Sequence, residues 1–203
     1  MKKVFLNGCL RIIKKNDSTI SDEKLDEIRY GLEGIYLTIT KTIFIFALSY
    51  LLGIFREMII MLIVFNILRT TGFGIHAKKS WQCWVSSTIL FIFFPFISKY
   101  IYMSNTLKIV LGIIAIVVMV LYAPADTVKH PLVNKKKRLI WKTLTVINCI
   151  ILVLISICVK DNSISNLMIF GIYSEVVVII PLTYKIFGLP YSNYKKYGLN
   201  SNV

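Results

Sequence analysis

The chain has 203 residues, of which 56% are hydrophobic, and its mean hydropathy is +0.70. This composition excludes an ordinary soluble domain and predicts an integral membrane protein. A net charge of +14 would suit nucleic-acid binding in a soluble protein. In so apolar a chain we attribute it to basic cytoplasmic loops and anionic lipid headgroups, and expect no nucleic-acid partner.

The first predicted element is an amphipathic arm over residues 1–34. Between Lys2 and Lys15, apolar residues alternate with Lys, Asn and Arg, which is the pattern of a helix lying in the membrane interface. Polar residues interrupt the apolar stretch and no cleavage site follows, so we do not expect a secretory signal. Ser21 is placed to cap a second helix whose first turn is acidic. A solvated amphipathic arm is the alternative interpretation.

Residues 35–187 form the predicted membrane region. Six apolar runs follow one another in it: 35–55, 58–68, 83–101, 107–122, 144–159 and 167–185. A helix needs about 20 residues to cross a bilayer, and three of these runs are short. The sequence therefore predicts an all-α polytopic membrane protein with about six transmembrane helices, or with four full spans and two re-entrant segments. Residues 188–203 are a polar tail, and no linker indicates a second domain within 1–203.

The distribution of positive charge predicts the orientation. With the N-terminus inside, nineteen Lys and Arg residues lie in the cytoplasmic segments 1–34, 69–83, 123–142 and 185–203. The outer turns hold four. Because basic residues concentrate on the cytoplasmic side, both termini and segment 69–83 are expected on that side of the plasma membrane.

Segment 69–83 contains His76, one of two histidines, seven residues before Cys83. A histidine base and nearby cations raise the thiolate fraction of a cysteine. A chance His and Cys near a helix end is the common alternative, because this spacing is not diagnostic. In one straight helix the two residues would be roughly 10 Å apart along the axis, whereas a dyad needs side-chain contact within roughly 3–4 Å.

A dyad within one chain therefore requires a bend, for which Gly72 and Gly74 provide backbone freedom. A helix beginning near residues 78–80 would place Cys83 in its first turn, where the helix dipole favours a thiolate. A dyad formed across a dimer is the other arrangement.

Five residues in this segment resemble the signature of the accessory gene regulator B (AgrB) family, namely Arg69, Gly74, His76, Ala77 and Cys83. Segment 123–131, with the basic residues 135–138 after it, is similar to the family's loop after the fourth span. Many members carry Gly-Gly where this chain has Phe73 and Gly74. AgrB proteins are membrane-embedded cysteine endopeptidases that process the propeptide of a bacterial quorum-sensing signal.

The resemblance implies that His76 and Cys83 are the catalytic dyad. It implies cleavage of a short AgrD-like propeptide through an acyl-enzyme thioester, followed by cyclisation to a thiolactone or lactone. A homodimer fits the family. Arg69 is similar to the family's arginine, which makes it a candidate to bind the acidic part of the substrate or the oxyanion.

Further side chains are candidates for substrate binding or for stabilising an oxyanion: Arg69, Gly74, Ser80, Gln82, Lys135, Lys136, Lys137 and Arg138. The alternatives are a headgroup anchor for Arg69 and a lipid-facing cluster that sets topology for the basic residues. Asp126 is a candidate to orient His76, or else a turn or capping residue. We expect no metal or other cofactor, because two histidines and scattered cysteines without a CxxC pair make a poor metal site.

Glu175 lies in the middle of the last apolar run, where an ionisable group is costly unless it is paired. Lys41, in the first run, is a candidate partner. A small transporter or channel lined by these two residues and Asn66 is the competing function, although the chain lacks the paired broken spans of transporter repeats. A membrane acyltransferase using Cys83 is a third.

Overall fold

The computed structural model describes residues 2–16, 20–75, 80–126 and 132–194, and these form helices without any strand. The helices are α1 (Lys2–Asn16), α2 (Asp22–Leu51), α3 (Phe55–Gly72), α4 (Ser80–Thr88), α5 (Phe94–Ser98), α6 (Asn105–Tyr122), α7 (Lys135–Cys158), α8 (Asn162–Ile179) and α9 (Pro181–Ile186). The predicted all-α fold is confirmed.

Within the described residues, five helical segments are long and apolar enough to cross a membrane: Glu23–Leu51, Ser80–Ser98, Asn105–Tyr122, Lys135–Cys158 and Asn162–Ile179. They correspond to five of the six predicted runs and make this a multi-pass membrane protein. The remaining run is α3, which has 18 residues but carries Arg56, Glu57 and Arg69. Its core-facing side is apolar and buried.

Residues 1–48 form one compact unit. Lys2 pairs with Glu33 of α2, and the rings of Phe5 and Tyr36 lie 5.5 Å apart, so α1 packs on the first part of α2. Residues Lys2–Asn16 are helical, and the Ser21 hydroxyl accepts the N–H of Lys24 at 3.4 Å. The location of this arm in the membrane interface stays a prediction. Helix α2 runs without a break from the predicted arm into the first predicted apolar run.

Residues 49–203 form the second unit, whose central helix is α8. This helix contacts α3, α5, α6 and α7, and it is the most buried of the five apolar spans. Small residues permit the close crossings. A Cβ atom added at Gly171 would lie 2.5 Å from a methyl of Val64 on α3, and one at Gly112 of α6 would lie 2.5 Å from a methyl of Val153. Close backbone approach of this kind drives helix association where lipid removes the hydrophobic contrast.

The third predicted run is a single helical segment with a local widening. A π-helical turn, Ile89–Phe93, joins α4 to α5 immediately before Pro95. Proline lacks an N–H and its ring collides with the carbonyl four residues earlier, so the ladder of hydrogen bonds adjusts at this point.

At the end of this unit where α3 begins and α5 ends, polar side chains join the helix ends. Lys99 pairs with Glu57 at 3.3 Å. Lys108, which is buried, donates to the Asn162 side chain at 2.8 Å, and that amide donates to the carbonyl of Ile101 at 3.1 Å. These contacts fix α3, α5, α6 and α8 relative to one another. The candidate site, described below, lies at the opposite end of these helices.

Candidate active site

The chain leaves α3 at Gly72 and enters residues 73–75, which we call the 73–75 loop. Phe73 has φ 61° and Gly74 has φ 89°. A positive φ is strained for a side chain such as Phe and costs little for Gly. The family pattern has glycine at the position of Phe73, where this backbone would suit it. Here the Phe73 ring packs edge-on against Trp141 of α7, with centroids 5.5 Å apart, and this contact offsets part of the strain.

Backbone hydrogen bonds attach the 73–75 loop to two neighbouring segments. The Gly74 N–H donates to the Ala125 carbonyl at 2.8 Å, and the Ala125 N–H donates to the Gly72 carbonyl at 2.9 Å. The Ile75 N–H donates to the Val178 carbonyl at 3.2 Å. The carbonyls of Gly72 and Val178 lie in the last turns of α3 and α8, where helix carbonyls lack partners within the helix. Ala125 therefore satisfies the end of α3 and the loop satisfies the end of α8, while the position of the loop is fixed.

Arg69 holds the same loop from inside. Its guanidinium donates to the carbonyls of Phe73 and Ile75, and reaches that of Gly74 at 3.4 Å. Its side chain is only 17% exposed. Arg69 was a candidate for binding substrate or an oxyanion, and the structure places its donors on the chain's own backbone.

Glu175 lies beneath Arg69, with 3.9 Å between the Arg69 Nη1 and the Glu175 Oε2. The Glu175 side chain is fully buried. A buried carboxylate was expected to need a cation, and the sequence suggested Lys41. The structure puts Arg69 in that place.

Cys83 is the fourth residue of α4 and is half-buried. Ser80 is exposed and Gln82 half-buried in the same first turn. His76 lies outside the described residues, one position beyond Ile75. The structure thus describes the 73–75 loop, which directly precedes His76, and the start of α4, which contains Cys83. The proximity of His76 to Cys83 stays a prediction.

A cavity of about 460 Å³ opens beside the loop, between the end of α6 and the start of α7. Basic side chains from α7 line it, namely Lys135, Arg138 and Lys142. Lys136 and Lys137 are exposed and not among its lining residues. Of the four basic candidates at 135–138, the structure therefore brings two to a concave surface.

The start of the predicted polar tail closes one side of this cavity. Asp126 accepts the backbone N–H of Asn193 at 3.0 Å and that of Tyr194 at 2.7 Å. Burial raises the pKa of the Asp126 carboxyl, and these N–H donors counteract the effect. Arg138 stacks on the Tyr194 ring at 3.8 Å. Asp126 was a candidate to orient His76, and its two oxygens hold the tail.

Tyr184 joins the tail to the loop region. Its hydroxyl donates to the carbonyls of Ala125 at 3.3 Å and Asp126 at 3.1 Å. Its ring packs edge-on against Tyr191, with centroids 5.1 Å apart. Burial raises the pKa of the Tyr184 hydroxyl, which keeps it a hydrogen-bond donor.

Replacing Asp126 with asparagine is expected to loosen the tail. One carboxylate oxygen becomes an NH2 group facing an N–H donor, so one charge-assisted hydrogen bond is lost, a cost of about 1–3 kcal/mol. Hydrogen exchange of residues 191–194 should rise about tenfold or more. Asp161→Asn is the matched control, because Asp161 caps α8 at the far end and asparagine caps equally well. Unchanged exchange in Asp126→Asn would contradict the anchoring role.

Several residues of this region were missed by the sequence analysis. The contributions of Ala125 and Val178 are backbone groups, which leave no mark in side-chain pattern. Tyr184 and Tyr191 stood in a stretch interpreted as the end of a span and a polar tail. The signal in the sequence was Glu175, because an acidic residue within an apolar run requires a cation as its partner.

The family model for Accessory gene regulator B matches residues 6–179. An AgrB-like protein of Clostridium acetobutylicum is 36% identical over 174 residues, covering 86% of this chain and 83% of that protein. An AgrB-like protein of Listeria monocytogenes serotype 4a is 30% identical over 188 residues, 92% of this chain and 91% of that protein.

The accessory gene regulator protein B of Staphylococcus aureus is 30% identical over 161 residues, 78% of this chain and 83% of that protein. No solved structure matches the chain significantly. The match includes most of the arm, the 73–75 loop, the start of α4 and all of α8, and the chain therefore belongs to the accessory gene regulator B family.

Proposed function

We propose that this protein is a membrane-embedded cysteine endopeptidase of a bacterial quorum-sensing system, with His76 and Cys83 as its dyad. The observation that carries the proposal is the bend at the 73–75 loop in a chain of this family. Helix α3 ends at Gly72, and α4 starts at Ser80, three residues before Cys83. The chain is therefore out of helical geometry immediately before His76, as a dyad within one chain requires.

The proposed reaction begins when His76 takes the proton of the Cys83 thiol. The thiolate attacks a peptide carbonyl of the propeptide, and the C-terminal fragment leaves as an amine that recovers the proton from His76. The N-terminal part remains on Cys83 as a thioester. A Cys or Ser inside this acyl group then attacks the thioester, which releases Cys83 and closes a thiolactone or lactone ring.

The position of Cys83 supports this chemistry in two ways. It lies in the first turn of α4, where the helix dipole stabilises a negative charge. It is also half-buried, which limits the access of water that would hydrolyse the thioester before cyclisation.

The cavity beside the loop offers a site for an acidic part of the propeptide. Lys135, Arg138 and Lys142 line it, and its volume of about 460 Å³ is large enough for a few side chains. Ser80, Gln82 and backbone N–H groups at the start of α4 are the nearest candidates in sequence for the oxyanion. Lys136 and Lys137 would then contribute long-range attraction only.

The remaining proposals concern the setting of the enzyme. The distribution of Lys and Arg supports a cytoplasmic location for both termini and for the dyad. The exposed apolar faces of the spans support contact with membrane lipids. Two-fold association is the commonest form of oligomer, and we propose a homodimer.

The structure does not favour the transporter or channel. Asn66 is exposed on α3 and donates to the carbonyl of Leu62 in its own helix. Glu175 is fully buried beside Arg69. Neither residue lines the cavity beside the 73–75 loop.

The test is to capture the acyl-enzyme. The protein in lipid nanodiscs is mixed with a synthetic propeptide that has an amphipathic N-terminal segment, an internal Cys and an acidic tail. Rapid acid quenching and mass spectrometry should show the N-terminal fragment on Cys83, labile to hydroxylamine, together with the free acidic fragment. A fatty-acyl adduct in its place would indicate the acyltransferase. Absence of both cleavage and adduct would contradict a peptidase.

A further inference from the structure

The strongest unexplained feature of this region is Glu175. It is 0% exposed, and within the described part of the chain neither of its carboxylate oxygens accepts a hydrogen bond. Such a group normally has a specific partner, because an unpaired buried carboxylate is costly. The cation next to it is Arg69, at ion-pair distance but too far for a hydrogen bond, with 3.9 Å between Nη1 and Oε2.

Arg69 uses its donors on the 73–75 loop instead. The guanidinium meets three successive carbonyls, those of Phe73, Gly74 and Ile75. Carbonyl oxygens are neutral, so they orient the guanidinium without neutralising it. Glu175 supplies the negative charge on the side of the guanidinium that faces α8.

The space around Glu175 is shaped for the carboxylate. A Cβ atom added at Gly72 would lie 2.6 Å from the Glu175 Oε1, and 3.4 Å from the methyl of Thr145. One at Gly74 would lie 2.6 Å from the Arg69 Nη1. Glycine at position 72 therefore leaves room for the Glu175 carboxylate beside the end of α3, and glycine at position 74 leaves room for the Arg69 guanidinium beside the loop.

One turn further along α8, the Val178 carbonyl accepts the Ile75 N–H at 3.2 Å. Helix α8 thus holds the loop at two points, through this hydrogen bond and through Glu175 acting on Arg69. Ile75 is fixed by both, and it is the residue before His76.

We propose that Glu175 is a positioning residue: its carboxylate holds the Arg69 guanidinium on the carbonyls of the 73–75 loop and so fixes the backbone of Ile75, the residue before His76. The proposal rests on the proposed function. It assigns Arg69 to the architecture of the dyad rather than to the substrate.

The test is Glu175→Gln in nanodiscs, which removes the charge and keeps the shape. We expect kcat for propeptide cleavage to fall about 10- to 100-fold, as for a small misplacement of a catalytic group, and KM to stay within about twofold. Exchange of the Gly74 and Ile75 amides should rise. Ser174→Ala is the matched control, because Ser174 is a buried neighbour on α8 whose hydroxyl bonds the carbonyl of Phe170 in its own helix.

Two further variants make the result specific. Glu175→Asp keeps the charge and should recover part of kcat. Because the two residues are proposed to act as one unit, Arg69→Gln combined with Glu175→Gln should lose no more activity than Arg69→Gln alone. If Glu175→Gln does not insert stably, Arg69→Gln decides, and wild-type kcat in that variant overturns the proposal.

The outcomes separate this inference from the function it rests on. If the wild-type protein cleaves no propeptide, the proposed peptidase function is wrong. Amide exchange of the Gly74 and Ile75 N–H groups then tests the Arg69–Glu175 contact by itself. With an active wild type, unchanged kcat, a change confined to KM, or unchanged exchange in Glu175→Gln overturns the positioning role. Independent losses in the double variant overturn the pairing.

Discussion

Replacing Cys83 with alanine or serine is expected to abolish propeptide cleavage while the protein still inserts in the membrane. Alanine removes the nucleophile. Serine is similar in size to cysteine, but its hydroxyl is far less acidic than a thiol. The helix dipole at the start of α4 and a single histidine are not enough to ionise that hydroxyl. Loss of a nucleophile costs several orders of magnitude in kcat, so the expected decrease is about a thousandfold or more. Cleavage is measured by separating the acidic fragment from the intact propeptide.

Cys158→Ser is the matched control for this experiment. Cys158 is exposed at the far end of α7, away from the loop, and its replacement should leave cleavage unchanged. Amounts of inserted protein are compared for all variants. Normal processing by either Cys83 variant would remove this thiol from the mechanism.

Replacing Gly74 with alanine is expected to have the second largest effect. The new Cβ would lie 2.6 Å from the Arg69 Nη1 and 2.8 Å from the Val178 carbonyl oxygen, and φ of 89° adds backbone strain for any residue other than glycine. The loop must move, together with the hydrogen bonds that fix Ile75. Because His76 lies two residues away, we expect kcat to fall about a hundredfold or more, with the helices still folded.

The variant Gly53→Ala is the control that distinguishes the effect of backbone strain from the effect of a steric clash in Gly74→Ala. Gly53 also has a positive φ, 65°, but no atom lies within 4 Å of an added Cβ, and it precedes α3 at the far end. Its substitution should lower the melting temperature in detergent by a few degrees, without changing kcat. Equal losses of cleavage in both variants would show that general destabilisation, and not the position of the loop, limits the activity.

The ends of the helices, rather than their membrane-spanning parts, form the candidate active site. Helices α3 and α8 leave carbonyls unpaired at the same end of the bundle, and the 73–75 loop and Ala125 satisfy those of Gly72 and Val178. In a bilayer this satisfaction is close to obligatory, because an unpaired backbone group there costs several kcal/mol. The non-helical segment between two apolar helices is therefore stable here because other segments supply hydrogen-bond partners for its backbone.

The Arg69 interaction illustrates the limit of reasoning from sequence. An arginine at the end of an apolar helix is typical of a headgroup anchor, and the family resemblance implied a role toward substrate. Its actual partners are three carbonyls of its own loop and a carboxylate more than a hundred residues later in the chain. Residue type predicted that a buried Glu175 needs a cation, but it did not single out Arg69.

The sequence by itself determined the class of the protein, the helical runs, the interruption after Gly72 and the family. These follow from local chemistry, since hydrophobicity, chain length between breaks and backbone freedom act within a few residues. Only the tertiary structure decided that Glu175 lies against Arg69, that Ala125 and Val178 hold the loop, and that Asp126 anchors the tail. Those contacts join residues far apart in the chain, several of them through backbone groups that every residue possesses, so no pattern of side chains encodes them.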